Sequence, residues 1–224
     1  MASRERSARS NSAGPGHVLA DELAIRKSQH GRQEILSAAA SLFDEVGYHN
    51  ASIALLAEAA ETTKAKVYDQ FKSKHDILFV IHEEWIDELL EMSRQNLAEH
   101  KEVPDLVRQF IFDIFAIIDA RPSQVRVYFE YVRELPPQLL KAAQAKRDRY
   151  EKLVEDVIRR GIETGAFREQ SVRVATLALF GMCNWGYRWY RADGLLTHHE
   201  IAEQLSFLYL EGMSTTSNES SPAP

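Results

Sequence analysis

The sequence predicts an all-α fold, and three observations carry that prediction. Apolar residues recur at three- and four-residue spacing through most of the chain, with neither a strand-like alternation nor an internal repeat between the tails. Pro104, Pro122 and the Pro136–Pro137 pair fall where apolar segments begin, in the first helical turn, where a missing N–H costs nothing. Gly47 and Gly165 follow the last periodic residues of their segments, as a left-handed helix terminator does. The expected architecture is an N-terminal three-helix domain of helix-turn-helix type followed by a C-terminal helical bundle, about nine helices in all.

The segments can be justified in order. Ile35, Leu36, Ala39, Leu42, Phe43 and Val46 form one apolar stripe that stops at Gly47. Ser52 can cap a second helix whose inward residues are Ile53, Leu56, Ala57 and Ala60. Thr63 can cap a third, short and basic, carrying Lys64, Lys66, Val67, Tyr68 and Phe71. Two short helices with a tight joint, the second presenting cations at its start, have the shape that enters a DNA major groove. Ser73 and Asp76 have capping-box spacing and open a long fourth helix through Ile77, Ile81, Trp85, Leu89 and Met92. A fifth helix follows Pro104 with Leu106, Phe110, Ile114, Phe115 and Ile118. A sixth follows Pro122, and a seventh runs from the proline pair to about Thr164. Residues 171–191 and 198–212 are expected to form the last two helices.

Composition narrows the class. The 224 residues suffice for one large or two small domains, and the single cysteine, Cys183, excludes an internal disulfide and suits a reducing compartment. The N-terminus lacks the apolar core of a signal peptide and no run approaches a membrane span, so the expected location is the cytoplasm, with no membrane partner. The net charge is −6, distributed unevenly. Residues 1–75 hold ten Lys/Arg against nine Asp/Glu, whereas residues 76–224 hold 17 against 24. Local placement of cations must therefore do any DNA binding, because only cations near the duplex release counterions. The expected division is a disordered arm over 1–27 bearing Arg4, Arg6 and Arg9, a DNA-binding domain over 28–75, a ligand-binding and dimerisation domain over 76–213, and a disordered tail over 214–224.

The stretch from Arg32 to Leu78 resembles the DNA-binding domain of the tetracycline-repressor (TetR) family of one-component regulators. The resemblance rests on Ile35-Leu36, Ala38-Ala39, Leu42-Phe43, Gly47-Tyr48, Ser52-Ile53, Ala57, Ala59-Ala60, Tyr68, Phe71 and Ser73-Lys74. It implies that Ser52, Thr63, Tyr68 and Lys74 meet phosphate and that Lys64, Ala65 and Lys66 face bases. It also implies a homodimer on a palindromic double-stranded operator. The chain departs from the family at four positions. Glu61-Thr62 stand where the family usually has Gly-Val, so either the turn changes shape or Glu61 takes a positive φ at a cost. Ala65 replaces a common glycine and Gln70 a common histidine.

The string Leu177–Leu196 is dense in aromatics that cannot share one helix face, which calls for a packing partner on more than one side. Its residues GMCNW and RWYR-x-DG resemble a TetR subgroup that responds to acyl-coenzyme A thioesters. An effector pocket is expected among Trp85, Phe115, Tyr128, Tyr150, Asn184, Trp185 and Arg188, with Arg147, Arg173 and Arg188 as candidate partners for phosphate or carboxylate. Neither a metal set nor a cofactor motif is expected: His198 and His199 are adjacent, and His75 and His82 have no acid completing a set. No catalytic spacing appears. The function expected is therefore a DNA-binding repressor released by a small effector, the alternatives being a DNA-binding dimer without an effector and a helical-bundle enzyme acting on thioesters.

Overall fold

A computed structural model describes the backbone of residues 15–99 and 102–214, and side chains from Lys27 onward. The described elements are α1 (Pro15–Val46), α2 (Ile53–Ala59), α3 (Lys64–Gln70), α4 (Lys74–Ala98), α5 (Val103–Ala120), α6 (Pro122–Tyr131), a 3-10 turn (Val132–Glu134), α7 (Pro137–Glu163), α8 (Val172–Asn184), the single turn α9 (Gly186–Trp189) and α10 (His198–Met213). No strand occurs among the described residues. Gly47 and Gly165 end α1 and α7 with φ of +84° and +75°, the conformation that makes glycine the preferred terminator.

Two expectations need correction. The stretch 1–27 is not a disordered arm throughout, because α1 already begins at Pro15. From His17 to His30 the chain is rich in Ala, Leu, Glu, Arg, Lys and Gln, with no glycine or proline to stop the helix, so propensity carries it forward. Arg4, Arg6 and Arg9 lie outside the described residues, as does the tail beyond Ser214. The helix expected over 171–191 is also broken, after Asn184. At Gly186 a Cβ atom would lie 2.9 Å from the Phe115 ring. The backbone there runs against the core of α5, immediately after the break.

The apolar residues form two clusters. The N-terminal cluster joins Leu36, Ala39 and Phe43 of α1 to Leu56, Val67 and Phe71, and extends to Val127, Leu135 and Ala143 of the C-terminal half. The second cluster is built on α5, whose Leu106, Val107, Phe110, Ile111, Ile114 and Phe115 are fully buried. α4, α6, α7, α8, α9 and α10 all pack on α5. The buried carboxylate on this helix, Asp113, is satisfied by amides: Asn96 Nδ2 donates at 3.0 Å and Gln109 Nε2 at 2.8 Å. Without those donors a buried charge would be strongly destabilising.

α4 belongs to both clusters. Ile77, Leu78 and Ile81 lie in the first, and Trp85, Ile86, Leu89 and Leu90 in the second. His82 sits at the crossing, fully buried, with neither ring nitrogen hydrogen-bonded and its ring centroid 4.9 Å from that of Tyr128. Burial disfavours the charged imidazolium and pushes this group from 6.5 down to about 4. Because the folded value is depressed, the neutral ring's contribution is complete above pH ~6.5 and is lost as the pH falls through about 4. In urea unfolding, the wild type should lose about 2 kcal/mol more stability than His82→Phe between pH 7 and pH 4.5. Parallel pH profiles for the two proteins would contradict this assignment.

Candidate nucleic-acid interface and ligand cleft

α2 and α3 have seven residues each, too few for stability alone, so side chains must close their ends. Ser52 Oγ accepts from Leu55 N at 3.2 Å, and Thr63 Oγ1 accepts from Lys66 N at 3.3 Å. Ser73 Oγ accepts from Asp76 N at 3.1 Å, while the Asp76 carboxylate reaches back to accept from Lys72 N. α3 buries only Val67 within its span, followed by Phe71 at its cap. Thr63, Lys64, Ala65, Lys66 and Tyr68 are all exposed, Tyr68 by 55%. Ser52, at the start of α2, is exposed as well.

The face is fixed from behind by two cations. Arg32 of α1 donates to the Gln70 carbonyl at 3.0 Å and lies 4.3 Å from the Phe71 ring centroid. Gln70, where the family has histidine, donates to Ser28 Oγ. Lys74 takes a different position from the one expected. Its ammonium donates to the carbonyls of Tyr48 at 2.7 Å and Ala51 at 2.9 Å, and lies 4.3 Å from the Tyr48 ring centroid. The α1–α2 loop turns three carbonyls towards it, and partial burial lowers its pKa from the usual lysine value. Lys74 therefore clamps the loop; its charge is directed inward, away from solvent.

Glu61 resolves the question left by the missing glycine. Its φ is +48°, the only positive value among described non-glycine residues. Thr62 N donates to Ala57 O at 2.8 Å and Glu61 N to Glu58 O at 3.0 Å. This pair of bonds is the Schellman closure of a helix. The turn thus keeps the shape a glycine would give it, and Glu61 bears the steric cost.

A cleft of about 420 Å³ opens between α4, α6, α7 and α8. Of the seven residues expected to line a pocket, Trp85, Tyr128, Tyr150 and Asn184 do so. Phe115, Trp185 and Arg188 do not. Phe115 is core, packed beneath Gly186 and near Trp189 and Tyr190. Trp185 is 60% exposed, and Arg188 pairs with Glu130 at 2.6 Å. No residue beyond the helix break after Asn184 lines the cleft, although Tyr187 stacks on Phe129 of its wall at 4.7 Å. Arg147 and Arg173, expected as candidate cations, do line it. Ile86, Leu89, Phe129, Glu151, Leu177 and Phe180 complete the wall and were not singled out. Arg173, Leu177, Phe180 and Asn184 are spaced by four, three and four along α8, a one-face stripe that its periodicity could have disclosed.

α6 joins the two regions. Tyr128 and Phe129 face the cleft, while Ser123 Oγ and Arg126 Nε each donate to Asp44 of α1 at 2.9 Å. Val127, next in sequence to Tyr128, is buried in the N-terminal cluster. No group of His, Cys, Asp or Glu suited to a metal occurs among the described residues, and none of their helices is long and apolar enough to cross a membrane.

Fold and face together define a helix-turn-helix regulator. Residues 35–81 match the family model for bacterial regulatory proteins of the tetR family, and residues 100–213 match the tetracyclin repressor-like C-terminal domain. The chain belongs to the TetR family, and is a DNA-binding transcription regulator, not the thioester-acting enzyme kept as an alternative. It is similar to the HTH-type transcriptional repressor KstR2 of Rhodococcus jostii (strain RHA1), 26% identical over 84% of this chain and 93% of that protein. Among solved structures it resembles the TetR family regulator PfmR of Thermus thermophilus, with a TM-score of 0.74 and 32% identity over 79% of this chain and 96% of the other. AibR, solved in complex with isovaleryl coenzyme A and operator DNA, shares the fold with a TM-score of 0.71 at 22% identity, over 80% and 97% of the two chains.

Relieving the turn gives a direct test of its strain. Glu61→Gly should stabilise the protein by about 0.5–1 kcal/mol, since the release of left-handed strain exceeds the added entropy of the unfolded chain. Glu61→Val should destabilise it. Urea midpoints with unchanged slopes check both, and a lower midpoint for the glycine variant would contradict the strain at Glu61.

Proposed function

We propose that this regulator is a repressor that binds a palindromic operator as a homodimer and is released by an elongated, partly apolar effector of the acyl-coenzyme A class. The observation that carries the reading is the combination of an exposed basic helix start with an aromatic cleft, linked through the two faces of α6. Ser52, Thr63 and Tyr68 would meet phosphate, and Lys64, Ala65 and Lys66 would face base edges. Lys74 would act one step back, by fixing the loop before α2. Support for the effector class comes from relatives: KstR2 is a repressor of this family, and AibR was solved with isovaleryl coenzyme A and operator DNA. An occupant of the cleft would displace Tyr128 and Phe129, and the α6 clasp on Asp44 would carry that displacement to α1. Release requires the effector to bind the DNA-incompetent form better, with about 1.4 kcal/mol of coupling for each tenfold loss of operator affinity.

The dimer reading rests on exposed apolar surface. Val174, Leu177 and Trp185 on and after α8 and Phe207 and Leu208 on α10 are large, apolar and exposed. Gly181 on α8 and Gly212 near the end of α10 have open space where a Cβ would be, so another helix can approach closely. The α8 and α10 faces would pair with their copies across a two-fold axis.

Lys66→Ala and Tyr68→Ala should each weaken operator binding without lowering thermal stability, and Lys66→Ala should also flatten the salt dependence by about one unit of log–log slope. Unchanged affinity in both variants across a salt series would refute the assigned face. Phe207→Asp should convert the dimer to monomer in light scattering at micromolar concentration. A monomeric wild type under the same conditions would end the dimer reading.

A further inference from the structure

The rim of the cleft carries cations that are already engaged. Arg173, on α8, is 58% exposed and pairs with Glu151 and, at 3.2 Å, with Glu155. Those two glutamates stand one turn apart on α7, only 20% and 19% exposed, and Glu151 itself lines the cleft. Arg147 pairs with its neighbour Asp148 at 3.0 Å. Both arginines are thus already paired with carboxylates, of which only Glu151 lines the cleft, and neither is free for an anion until its pairing is released. Inside, the surroundings are different. The Asn184 amide and the Tyr128 hydroxyl have no hydrogen-bond partner among the described residues, so the wall offers polar groups to an incoming molecule without first breaking a bond.

We propose that Arg173 is a gated anion receptor, held across the cleft by Glu151 and Glu155 in the free protein and transferred to the anionic group of an effector on binding. The inference rests on the cleft being the effector site. The gate can open because an ion pair to a half-exposed arginine contributes little to stability, and the released glutamates lie close enough to solvent to regain water. It also discriminates. A thioester carrying phosphates must compete with both glutamates for Arg173, whereas an uncharged thioester with the same acyl chain needs no such exchange. Glu155 does not line the cleft and acts only through Arg173, so it is a positioning residue that sets selectivity between charged and uncharged molecules.

The test compares octanoyl-coenzyme A with octanoyl-pantetheine, which has the same acyl group and thioester but no phosphate. Calorimetry on the full chain is run with wild type, Glu155→Gln and Arg173→Gln, with melting temperature as the check on folding. Glu155→Gln should bind octanoyl-coenzyme A about threefold more tightly and octanoyl-pantetheine within about twofold of wild type. Arg173→Gln should weaken the charged ligand by about tenfold and spare the uncharged one. Both differences should shrink as salt is raised from about 50 mM to about 500 mM. If either substitution changes the two affinities equally, or changes neither, the gate is wrong and the effector cleft stands. If neither thioester binds any of the three proteins, the effector reading fails and the gate fails with it.

Discussion

The architecture depends on one helix with almost no solvent-facing side. α5 is covered by six other helices, and its buried residues run round the cylinder, not along one stripe. That burial is the main favourable term available to the C-terminal half, and it dictates local detail elsewhere. Asp113 is tolerated because two amides reach it. Gly186 is needed because Phe115 leaves no room for a side chain, and the aromatics beyond the helix break at that point do not line the cleft.

Short-range signals made much of this legible in the sequence. Ser52, Thr63 and Ser73 cap the helices their positions suggested, and Gly47 and Gly165 end theirs. These features need only neighbours within one turn. Tertiary outcomes were less accessible. Lys74 stands at a helix start, where a cation looks available to phosphate, yet three carbonyls of a distant loop take it. Four of the seven expected cleft residues line the cleft; of the other three, Phe115 is core, and Trp185 and Arg188 lie beyond a helix break beside that same ring, some seventy residues away in sequence. Periodicity shows that a helix has an apolar face, but not whether that face meets the core, a cavity or a second copy.

The electrostatics around α3 follow from the same division of labour. Arg32 and Lys74 lie close to the α3 face and spend their charge internally, holding the two ends of the motif. Among the described residues, the cations left in solvent around α3 are Lys27, Lys64, Lys66 and Lys72. In a chain of net charge −6, this small exposed set must supply local attraction against an unfavourable long-range field, so association should depend on orientation more than on steering.

α4 carries a consequence for modularity. Families of this architecture invite the exchange of one sensing domain for another behind a common DNA-binding head. In this chain the seam does not fall between residues 75 and 76, because Ile77, Leu78 and Ile81 complete the head's core while Trp85 and Leu89 already belong to the sensor's. Val127, Leu135 and Ala143 lend further side chains to the head from the far half. A transplant cut at the end of the motif would leave the head with an open core. The unit that can be inherited or grafted intact is the head together with the first two turns of α4 and the matching surface of α6 and α7.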